Sequence, residues 1–250
     1  MRFENKVLFV TGGASGIGRA TAERVVAEGG RAALVDLDLA SAQAVAAEIG
    51  GGCIGLAANV ADEAQVKAAI DATVEQLGGI DLVLAAAGHA EFGPLAEWDS
   101  ARFNKMMEVH VGGTFNVVKY ATPIMKARGN GSIVTIASVA AFKANNSNVP
   151  YGAAKAAIAG LTRQFTLEAL PEVRINCVAP GRTITGMTTP LMLARGGDME
   201  KGEEVFGSAV PMKRMARANE LAAAICFFLS DEASFITGQT LLVDGGETLA

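Results

Sequence analysis

The sequence has few of the residues that bind metals or form disulfides. Among its 250 residues there are three cysteines and two histidines. Cys53, Cys177 and Cys226 lie in apolar surroundings and form neither a C-x-x-C pair nor a cluster with metal-ligand spacing. Such sparse use of cysteine is typical of a reducing cytosol, and zinc sites need more cysteine and histidine than this. We therefore expect a cytoplasmic protein without a metal site.

Long apolar runs and concentrated positive charge are also missing. No uninterrupted apolar stretch approaches the roughly 20 residues of a membrane span, and the first residues, MRFENK, lack a secretory apolar region. The formal net charge is -5, and the charges are scattered along the chain. These properties argue against nucleic acid and membranes as partners. The 50% of hydrophobic residues is enough for one sizeable core.

Residues 6–36 have the pattern of a strand, a glycine turn, a helix and a second strand. An apolar run over 7–10 precedes the turn, and apolar residues at helical spacing extend from 17 to 28. A second apolar run over 31–35 ends in Asp36. This order predicts a βαβ unit, whose helix N-terminus points free backbone N–H groups at a ligand.

The glycines of this unit predict a phosphate-binding turn. Gly12, Gly16 and Gly18 allow the backbone to turn tightly and to approach a ligand without an intervening Cβ, and helix N-termini favour a pyrophosphate. Asp36 follows Gly18 at about the 20-residue offset of a carboxylate that accepts hydrogen bonds from an adenosine ribose. The unit therefore predicts a dinucleotide site, with a longer interval between Gly12 and Gly16 than in the usual G-x-G-x-x-G.

Strand and helix patterns alternate along the rest of the chain. Further strands are predicted at 54–58, 80–86, 132–136, 173–178 and 240–243, and helices at 39–49, 62–77, 98–126, 151–170 and 220–229. This alternation predicts a single α/β domain over residues 1–250, with a doubly wound, mostly parallel sheet of seven strands and helices on both faces. In such sheets, ligands bind beyond the carboxyl ends of the strands.

Residues 186–215 interrupt this alternation. They are rich in methionine, glycine and proline and show little periodicity. We interpret the segment as a mobile lid over the substrate, whose methionine side chains form an adaptable apolar wall.

Tyr151, Lys155 and Ser138 are candidate catalytic residues. Tyr151 and Lys155 lie four positions apart on a predicted helix and so share a face, while Ser138 follows the fifth predicted strand. A tyrosine has a free pKa of about 10, and a nearby ammonium or a cationic nicotinamide favours its phenolate. Tyr151 could then exchange a proton with an alcohol or carbonyl oxygen, and Ser138 could stabilise the charge on that oxygen. Taken alone, Tyr-x-x-x-Lys is a weak pattern and more often marks a surface tyrosine and a solvated lysine.

Together these motifs resemble the short-chain dehydrogenase/reductase family over the whole chain. TGGASGIG, residues 11–18, is similar to the family's T-G-x-x-x-G-x-G, and Ser138, Tyr151 and Lys155 have the order and spacing of its catalytic residues. Three further stretches match the family: RINCVAPG, the P-G-x-x-x-T pattern of Pro180, Gly181 and Thr185, and TGQTLLVDGG. The resemblance implies a Rossmann fold, an NAD(P) cofactor and oxidoreduction of a hydroxyl or carbonyl group. It also implies a homo-oligomer, with a tetramer favoured over a dimer.

The resemblance also assigns residues to the site. The implied cofactor-binding residues are Gly12, Ser15, Gly16, Ile17, Gly18, Asp36, Leu37, Asn59, Val60, Ala86, Ala87, Gly88, Tyr151, Lys155, Pro180, Gly181, Thr183 and Thr185. The expected substrate-binding residues are His89, Ser138, Asn145, Tyr151, Arg182 and Met187. The implied catalytic residues are Ser138, Tyr151, Lys155 and, in place of an asparagine of the family, His110.

Four positions depart from the family pattern. His110 replaces an asparagine that holds a water between the catalytic lysine and solvent. Because histidine titrates near neutral pH, His110 either substitutes in this relay or has only a packing role. Residues 85–88, AAAG, replace N-N-A-G and lose two amide side chains that tie strands together. Asn59 replaces an aspartate beside the adenine, and Thr183 replaces a branched aliphatic residue.

Asp36 favours NAD over NADP as the cofactor. Its carboxylate would repel a 2′-phosphate and accept hydrogen bonds from both ribose hydroxyls. No arginine or lysine follows it directly or lies in the glycine turn, where NADP enzymes tend to carry one. Arg182 lies beside the expected hydride site. It either pairs with a carboxylate or other anionic group of the substrate, or forms an internal salt bridge, or stays solvated.

Three functions are compatible with these motifs. The first is an NAD-dependent dehydrogenase that acts on a medium-sized, partly apolar secondary alcohol or its ketone. The second is a 3-oxoacyl-carrier-protein reductase, which the chain also resembles but which normally takes NADPH, against the evidence of Asp36. The third is a dinucleotide-sensing protein without catalysis, which would typically have lost Tyr151 or Lys155.

Overall fold

The computed structural model of the chain describes residues 1–144 and 148–250. The β-strands are β1 (Val7–Thr11), β2 (Arg31–Asp36), β3 (Ile54–Ala57), β4 (Leu82–Ala85), β5 (Gly131–Ile136), β6 (Val173–Pro180), β7 (Thr183–Ile184), β8 (Ala216–Arg217) and β9 (Thr240–Val243). The α-helices are α1 (Gly16–Ala27), α2 (Leu39–Ile49), α3 (Glu63–Leu77), α4 (Ser100–Met107), α5 (Gly113–Ala127), α6 (Val149–Ala169), α7 (Thr189–Gly196), α8 (Met199–Ser208) and α9 (Ala218–Leu229). Among the described residues, no helix is long and apolar enough to cross a membrane.

Seven strands form one parallel sheet in the order β3-β2-β1-β4-β5-β6-β9. The chain builds outward from β1 to β3, returns to place β4 on the other side of β1, and then builds outward to β9. This reversal opens a crevice between the carboxyl ends of β1 and β4, where such sheets bind ligands. The predicted doubly wound, Rossmann-type sheet is confirmed, with strand ends shifted by one or two residues at some positions.

Successive side chains of the central strands pack into different halves of the core. Phe9 lies in a buried cluster with Ile70 of α3 and Val117 of α5, whereas the preceding Leu8 lies in a second cluster with Ile225 of α9. Neighbouring residues of a strand point to opposite faces of the sheet. Helices therefore cover both faces, and this explains why the strands read as unbroken apolar runs.

The predicted long helix over 98–126 contains an unexpected π-helical segment. Helix α4 begins after Asp99, whose side chain accepts a hydrogen bond from the backbone of Arg102. The segment Glu108–Gly112 then widens the helix before α5 continues. Its residue His110 is 1% exposed. Single π-helical turns often lie at functional sites, and an ordinary helical period does not predict one.

The structure corrects the expectation of irregular backbone in the predicted lid, 186–215. Helices α7 and α8 lie within it, and β7 and β8 pair in parallel on either side. A Cβ on Gly196 would lie 2.2 Å from the backbone nitrogen of Gly202, so glycine here allows two helices to pack closely. Met192 and Met215 are fully buried, so the methionines belong partly to the core. Movement of the segment stays a prediction.

Candidate active site

A cleft of about 1140 Å³ lies beyond the carboxyl ends of the central strands. All of the predicted cofactor-binding residues line it, as do the predicted substrate-binding residues His89, Ser138, Tyr151, Arg182 and Met187. Asn145 lies outside the described residues. The cleft exceeds the roughly 1,000 Å³ that bounds most pockets for drug-sized ligands, so it has room for a dinucleotide together with a small substrate.

The glycine turn after β1 has the shape of a phosphate cradle. Gly12 and Gly16 have φ angles of 67° and 52°, which other residues rarely adopt. A Cβ on Gly18 would lie 2.2 Å from the carbonyl oxygen of Gly12, and a Cβ on Gly12 would lie 3.2 Å from that of Ala86. Ser15, which precedes α1, makes no side-chain capping hydrogen bond. The first N–H groups of α1 are therefore free for an anion, and the turn fits the pyrophosphate of a dinucleotide.

The Asp36 carboxylate lies at the end of β2 and faces this turn. Its oxygens accept hydrogen bonds from the backbone nitrogens of Ala14, at 3.1 Å, and Leu37, at 2.8 Å. A carboxylate oxygen can accept more than one hydrogen bond, so both oxygens remain able to bind ribose hydroxyls. Asp38, two residues later, instead caps α2 through the backbone nitrogen of Ala40.

The missing amide side chains of the AAAG segment are offset by Thr11. Its hydroxyl oxygen accepts hydrogen bonds from the backbone nitrogens of Ala86, at 3.2 Å, and Ala87, at 3.3 Å. Thr11 is the last residue of β1, and the two alanines follow β4. One side chain thus ties the two strands together where the cleft opens between them.

Asn59 and Thr183, two further departures from the family pattern, bond to nearby backbone. The Asn59 side-chain oxygen accepts a hydrogen bond from the Ala61 nitrogen at 3.1 Å. The buried Thr183 hydroxyl donates to the Gly181 carbonyl at 3.0 Å. Both side chains thereby shape turns that line the cleft.

Ser138, Tyr151 and Lys155 meet at the opposite end of the cleft from Asp36. The Ser138 hydroxyl oxygen accepts a hydrogen bond from the Ala140 nitrogen at 3.2 Å, at the end of β5. Tyr151 and Lys155 line the cleft from the first turns of α6. The Lys155 ammonium donates to the Ile136 carbonyl at 2.8 Å and lies 5.5 Å from the centre of the Tyr151 ring. The shared helix face predicted from the four-residue spacing is what brings both side chains here.

Burial controls the protonation of this group in the protein alone. It raises the pKa of Tyr151, and a hydrogen bond with Ser138 opposes this increase. Burial also lowers the pKa of Lys155 to about 8. Both changes have one cause, because leaving water disfavours the charged form of either group. The expectation that the Tyr151 phenol is more acidic than a free tyrosine is therefore wrong for the protein without a nicotinamide cofactor.

The comparisons with known proteins agree with this geometry. A family model described as "Enoyl-(Acyl carrier protein) reductase" matches residues 12–248. Levodione reductase from Leifsonia aquatica is 35% identical over 257 residues, which cover 100% of this chain and 96% of that protein. The chain belongs to the short-chain dehydrogenase/reductase family. This membership makes it a homologue of oxidoreductases that use nicotinamide cofactors.

Members of the family of known structure have the same fold. The crystal structure of levodione reductase has a TM-score of 0.93 at 35% identity, with 100% of both chains covered. That of NAD+-bound xylitol dehydrogenase has a TM-score of 0.90 at 30% identity, covering 98% of this chain and 100% of that one. A third relative, the 3-oxoacyl-[acyl-carrier-protein] reductase FabG of Thermotoga maritima, is 34% identical over 98% of this chain and 99% of its own length.

His110 of this short-chain dehydrogenase/reductase lies behind the cleft. Its Nε2 lies 2.8 Å from the carbonyl oxygen and 3.3 Å from the backbone nitrogen of His89. Its ring meets that of Tyr151 edge-on, with centres 5.5 Å apart, and a Cβ on Gly88 would lie 2.4 Å from its Cε1. Burial and the Lys155 charge lower its pKa to about 3. The expectation that it titrates near neutral pH is therefore wrong, and a place in a proton relay stays a prediction.

We expect His110 to make the protein less stable in mild acid. Its pKa falls from 6.5 to about 3 on folding, so between these values the unfolded chain binds a proton that the folded chain does not. The free energy of unfolding then decreases as the pH drops below 6.5, by up to about 1.4 kcal/mol per pH unit. Between pH 7.5 and pH 5, the free energy of unfolding of His110→Asn is expected to fall by about 2 kcal/mol less than that of the wild type. Urea unfolding at the two pH values measures this difference. Parallel curves for His110→Asn and the wild type would contradict this assignment.

Arg182 forms the internal salt bridge that the sequence left open as one alternative. Its Nε donates to the Glu247 carboxylate at 3.0 Å, and its backbone nitrogen donates to the other carboxylate oxygen at 3.2 Å. Glu247 is 6% exposed. Arg182 Nη1 donates to the Phe206 carbonyl at 3.2 Å, and the Lys143 ammonium donates to the Glu247 carbonyl at 2.9 Å. Arg182, which lines the cleft, and Lys143 thus both hold the C-terminal turn in place.

Breaking this ion pair is expected to destabilise the protein. Glu247→Gln removes a buried partner, and we expect a loss of about 2 kcal/mol, below the full cost of a buried pair because the Arg182 side chain is partly exposed. A double-mutant cycle with Arg182→Met is expected to give a coupling of about 1 kcal/mol or more. The exposed pair of Lys67 and Asp71 on α3 serves as control and should show no measurable coupling. Additive effects of the two cleft variants would contradict the assignment.

Several residues that line the cleft were not predicted as site residues. They are Lys105, Arg195, Phe206 and Glu247. None belongs to a sequence motif, and they come from α4, α7, α8 and the C-terminal turn. Asn148, which directly precedes α6, also lines the cleft. The Asn148 side-chain oxygen is buried without a hydrogen-bond partner in the described structure. The described residues contain no group of three or more His, Cys, Asp or Glu side chains suited to a metal ion.

Proposed function

We propose that this short-chain dehydrogenase/reductase transfers a hydride between NAD(H) and a secondary alcohol or its ketone. The main support is that Tyr151, Ser138 and Lys155 line the same cleft as the glycine turn and Asp36. Oxidation of a carbinol removes one hydride and one proton. A dinucleotide site and a proton-transfer group in one cleft provide for both.

Tyr151 is the proposed general acid and base. Its oxygen takes the proton of the substrate hydroxyl during oxidation and returns a proton to the carbonyl oxygen during reduction. The Ser138 hydroxyl donates a hydrogen bond to the same oxygen and stabilises its charge. When bound, a nicotinamide cofactor exchanges the hydride with the substrate carbon.

Lys155 has a positioning and an electrostatic role in this proposal. Its hydrogen bond to Ile136 holds the ammonium beside the Tyr151 ring. In general, an ammonium in a site with little water favours the phenolate form of a nearby tyrosine. With a pKa of about 8, Lys155 is mostly charged at neutral pH.

The residues that would hold NAD extend along the whole cleft. Asp36 would accept hydrogen bonds from the ribose hydroxyls and disfavour a 2′-phosphate, and the glycine turn would hold the pyrophosphate. Pro180, Gly181 and Thr185 would contact the nicotinamide side. The structural similarity to an NAD+-bound xylitol dehydrogenase supports this choice of cofactor.

A 3-oxoacyl-carrier-protein reductase is the alternative function. It is favoured by the similarity to FabG of Thermotoga maritima and by the description of the matching family model. Asp36 argues against it, because such reductases normally take NADPH. The cofactor preference therefore separates the two functions.

The test is to titrate the protein with NADH and NADPH and then to screen secondary alcohols with NAD. We expect NADH to bind at least about tenfold more tightly than NADPH, because the loss of one hydrogen bond to a charged group weakens binding by about this factor or more. Oxidation is followed by absorbance of the reduced nicotinamide. A preference for NADPH would favour the carrier-protein reductase. NADH binding without turnover of any alcohol would indicate the dinucleotide sensor.

We also propose that the chain works as a homotetramer in the cytoplasm. Phe115 on α5 and Leu167 on α6 are 45% and 77% exposed, and exposed apolar side chains on long helices support a subunit interface. Light scattering of the purified protein is expected to give four times the chain mass of 25.7 kDa. A monomer at micromolar concentration would refute this proposal.

A further inference from the structure

The cleft carries more positive charge than the chain as a whole. The net charge of the chain is -5. The basic residues that line the cleft are Lys105, Lys155, Arg182 and Arg195, and the acidic residues are Asp36 and Glu247. Since Asp36 lies at the ribose end, Glu247 is the acidic side chain among those lining the substrate end.

Two of the four basic side chains already have partners. Lys155 donates to the Ile136 carbonyl, and Arg182 neutralises Glu247. The remaining two, Lys105 and Arg195, take part in no ion pair among the described residues. Within the described part of the chain, both cations are therefore available for an anionic ligand.

Arg195 reaches the substrate end by stacking on an aromatic ring. Its guanidinium carbon lies 5.0 Å from the centre of the Phe206 ring, and that of Arg182 lies 5.4 Å from the same centre. A stacked guanidinium keeps its N–H groups at the edge, where they can bind a carboxylate with two hydrogen bonds. Because Arg182 follows Gly181 directly, this stack places Arg195 beside the expected nicotinamide side of the cleft.

Lys105 approaches the same end from another element. It lies on α4 and lines the cleft together with His89. Burial lowers the pKa of His89, and the nearby Lys105 charge contributes to the decrease. His89 is bonded to His110, which contacts the Tyr151 ring. The two cations, Lys105 and Arg195, thus lie on α4 and α7, and both line the cleft that contains Tyr151.

We propose that the substrate carries a carboxylate or similar anionic group, which binds Arg195 and is assisted by Lys105. Arg182 is held by Glu247 and also lies against the Phe206 ring. The proposal rests on the proposed function and names the class of alcohol that this cleft selects. It also moves the anion contact from Arg182, where the sequence suggested it, to Arg195.

The first experiment compares 4-hydroxycyclohexanecarboxylate with 4-hydroxycyclohexanecarboxamide, which have nearly the same shape and differ in charge. We expect a lower KM for the carboxylate, and a rise in that KM with salt because ions screen the exposed charges. Arg195→Gln is expected to raise the KM of the carboxylate about tenfold, as one charge-assisted hydrogen bond predicts. The KM of the carboxamide and both kcat values are expected to stay unchanged.

Lys201→Gln is the matched control. Lys201 lies on α8 of the same lid, is 71% exposed and pairs with Asp198 outside the cleft. We expect it to leave both substrates unaffected, whereas Lys105→Gln has a smaller effect than Arg195→Gln in the same direction. Equal use of carboxylate and carboxamide by the wild type, or equal losses for both in Arg195→Gln, would refute the anion site.

A binding measurement separates this proposal from the proposed function. Cyclohexanecarboxylate and cyclohexanecarboxamide lack the reacting hydroxyl, and their binding to the protein is followed by calorimetry with and without NADH. Tighter binding of the carboxylate, lost in Arg195→Gln, would support the anion site even if no alcohol is oxidised, and only the dehydrogenase assignment would then fall. Oxidation of neutral alcohols without any preference for the carboxylate ligands would overturn the anion site alone.

Discussion

Tyr151→Phe is expected to lower kcat by about a thousandfold, the usual contribution of a positioned acid or base. The phenyl ring fills the same space but cannot carry the proton of the substrate hydroxyl. NADH affinity is expected to stay within error of the wild type, because the change leaves the glycine turn and Asp36 untouched. Stopped-flow absorbance of NADH and fluorescence titration measure the two quantities.

Tyr120→Phe is the control for this variant. Tyr120 is the other of the two tyrosines in the chain. It lies on α5 and donates a hydrogen bond to Glu63 at 2.6 Å, away from the cleft. We expect full activity from it. If Tyr151→Phe retained turnover within about tenfold of the wild type, less than general acid–base catalysis supplies, another group would have to move the proton and the proposed mechanism would fail.

Asp36→Asn is expected to weaken NADH binding by about tenfold or more and to leave NADPH binding unchanged or improved. The substitution keeps the shape of the side chain and removes its charge. Hydrogen bonds to a charged group contribute about 1.5–3 kcal/mol, and the negative charge is also what repels a 2′-phosphate. The ratio of the two dissociation constants, measured by nicotinamide fluorescence, is the readout.

Asp38→Asn provides a control with the same change of charge two residues later. Asp38 caps α2 through Ala40 and Ser41, and asparagine caps helices about as well as aspartate. Its ratio of NADH to NADPH affinity is expected to equal that of the wild type. An equal shift in both variants would mean that the preference depends on the overall negative charge of this region and not on Asp36. A wild type that binds NADPH more tightly would overturn the assignment of NAD.

Local sequence patterns predicted the sheet and the cofactor end of the cleft because each of these features lies within a short stretch of chain. A parallel strand that is buried on both faces needs an apolar run, and each predicted strand occurs in the structure. The turn needs glycine because a Cβ on Gly12 or Gly18 would press against neighbouring backbone, and because Gly12 and Gly16 have positive φ angles. Tyr151 and Lys155 meet because helical spacing alone puts them on one face.

The short helices and the π-helical segment were beyond such patterns. Helices α7 and α8 are only a few turns long. Their glycines allow the two helices to pack closely, but in the sequence these glycines resemble a loop signal. Within the widened turn, His110 packs against Gly88, more than 20 positions away in the chain. Neither feature has a period that a window of sequence could detect.

The sequence by itself determined the order of the sheet elements, the glycine turn, Asp36 and the pair of Tyr151 and Lys155, since these depend on neighbours within a few turns of backbone. Only the tertiary structure decided that Arg182 pairs with Glu247, 65 positions later. It also decided that His110 is neutral and that Arg195 lies over Phe206 in the cleft. Charge and burial depend on which distant segments the fold brings into contact, and that information is absent from local spacing.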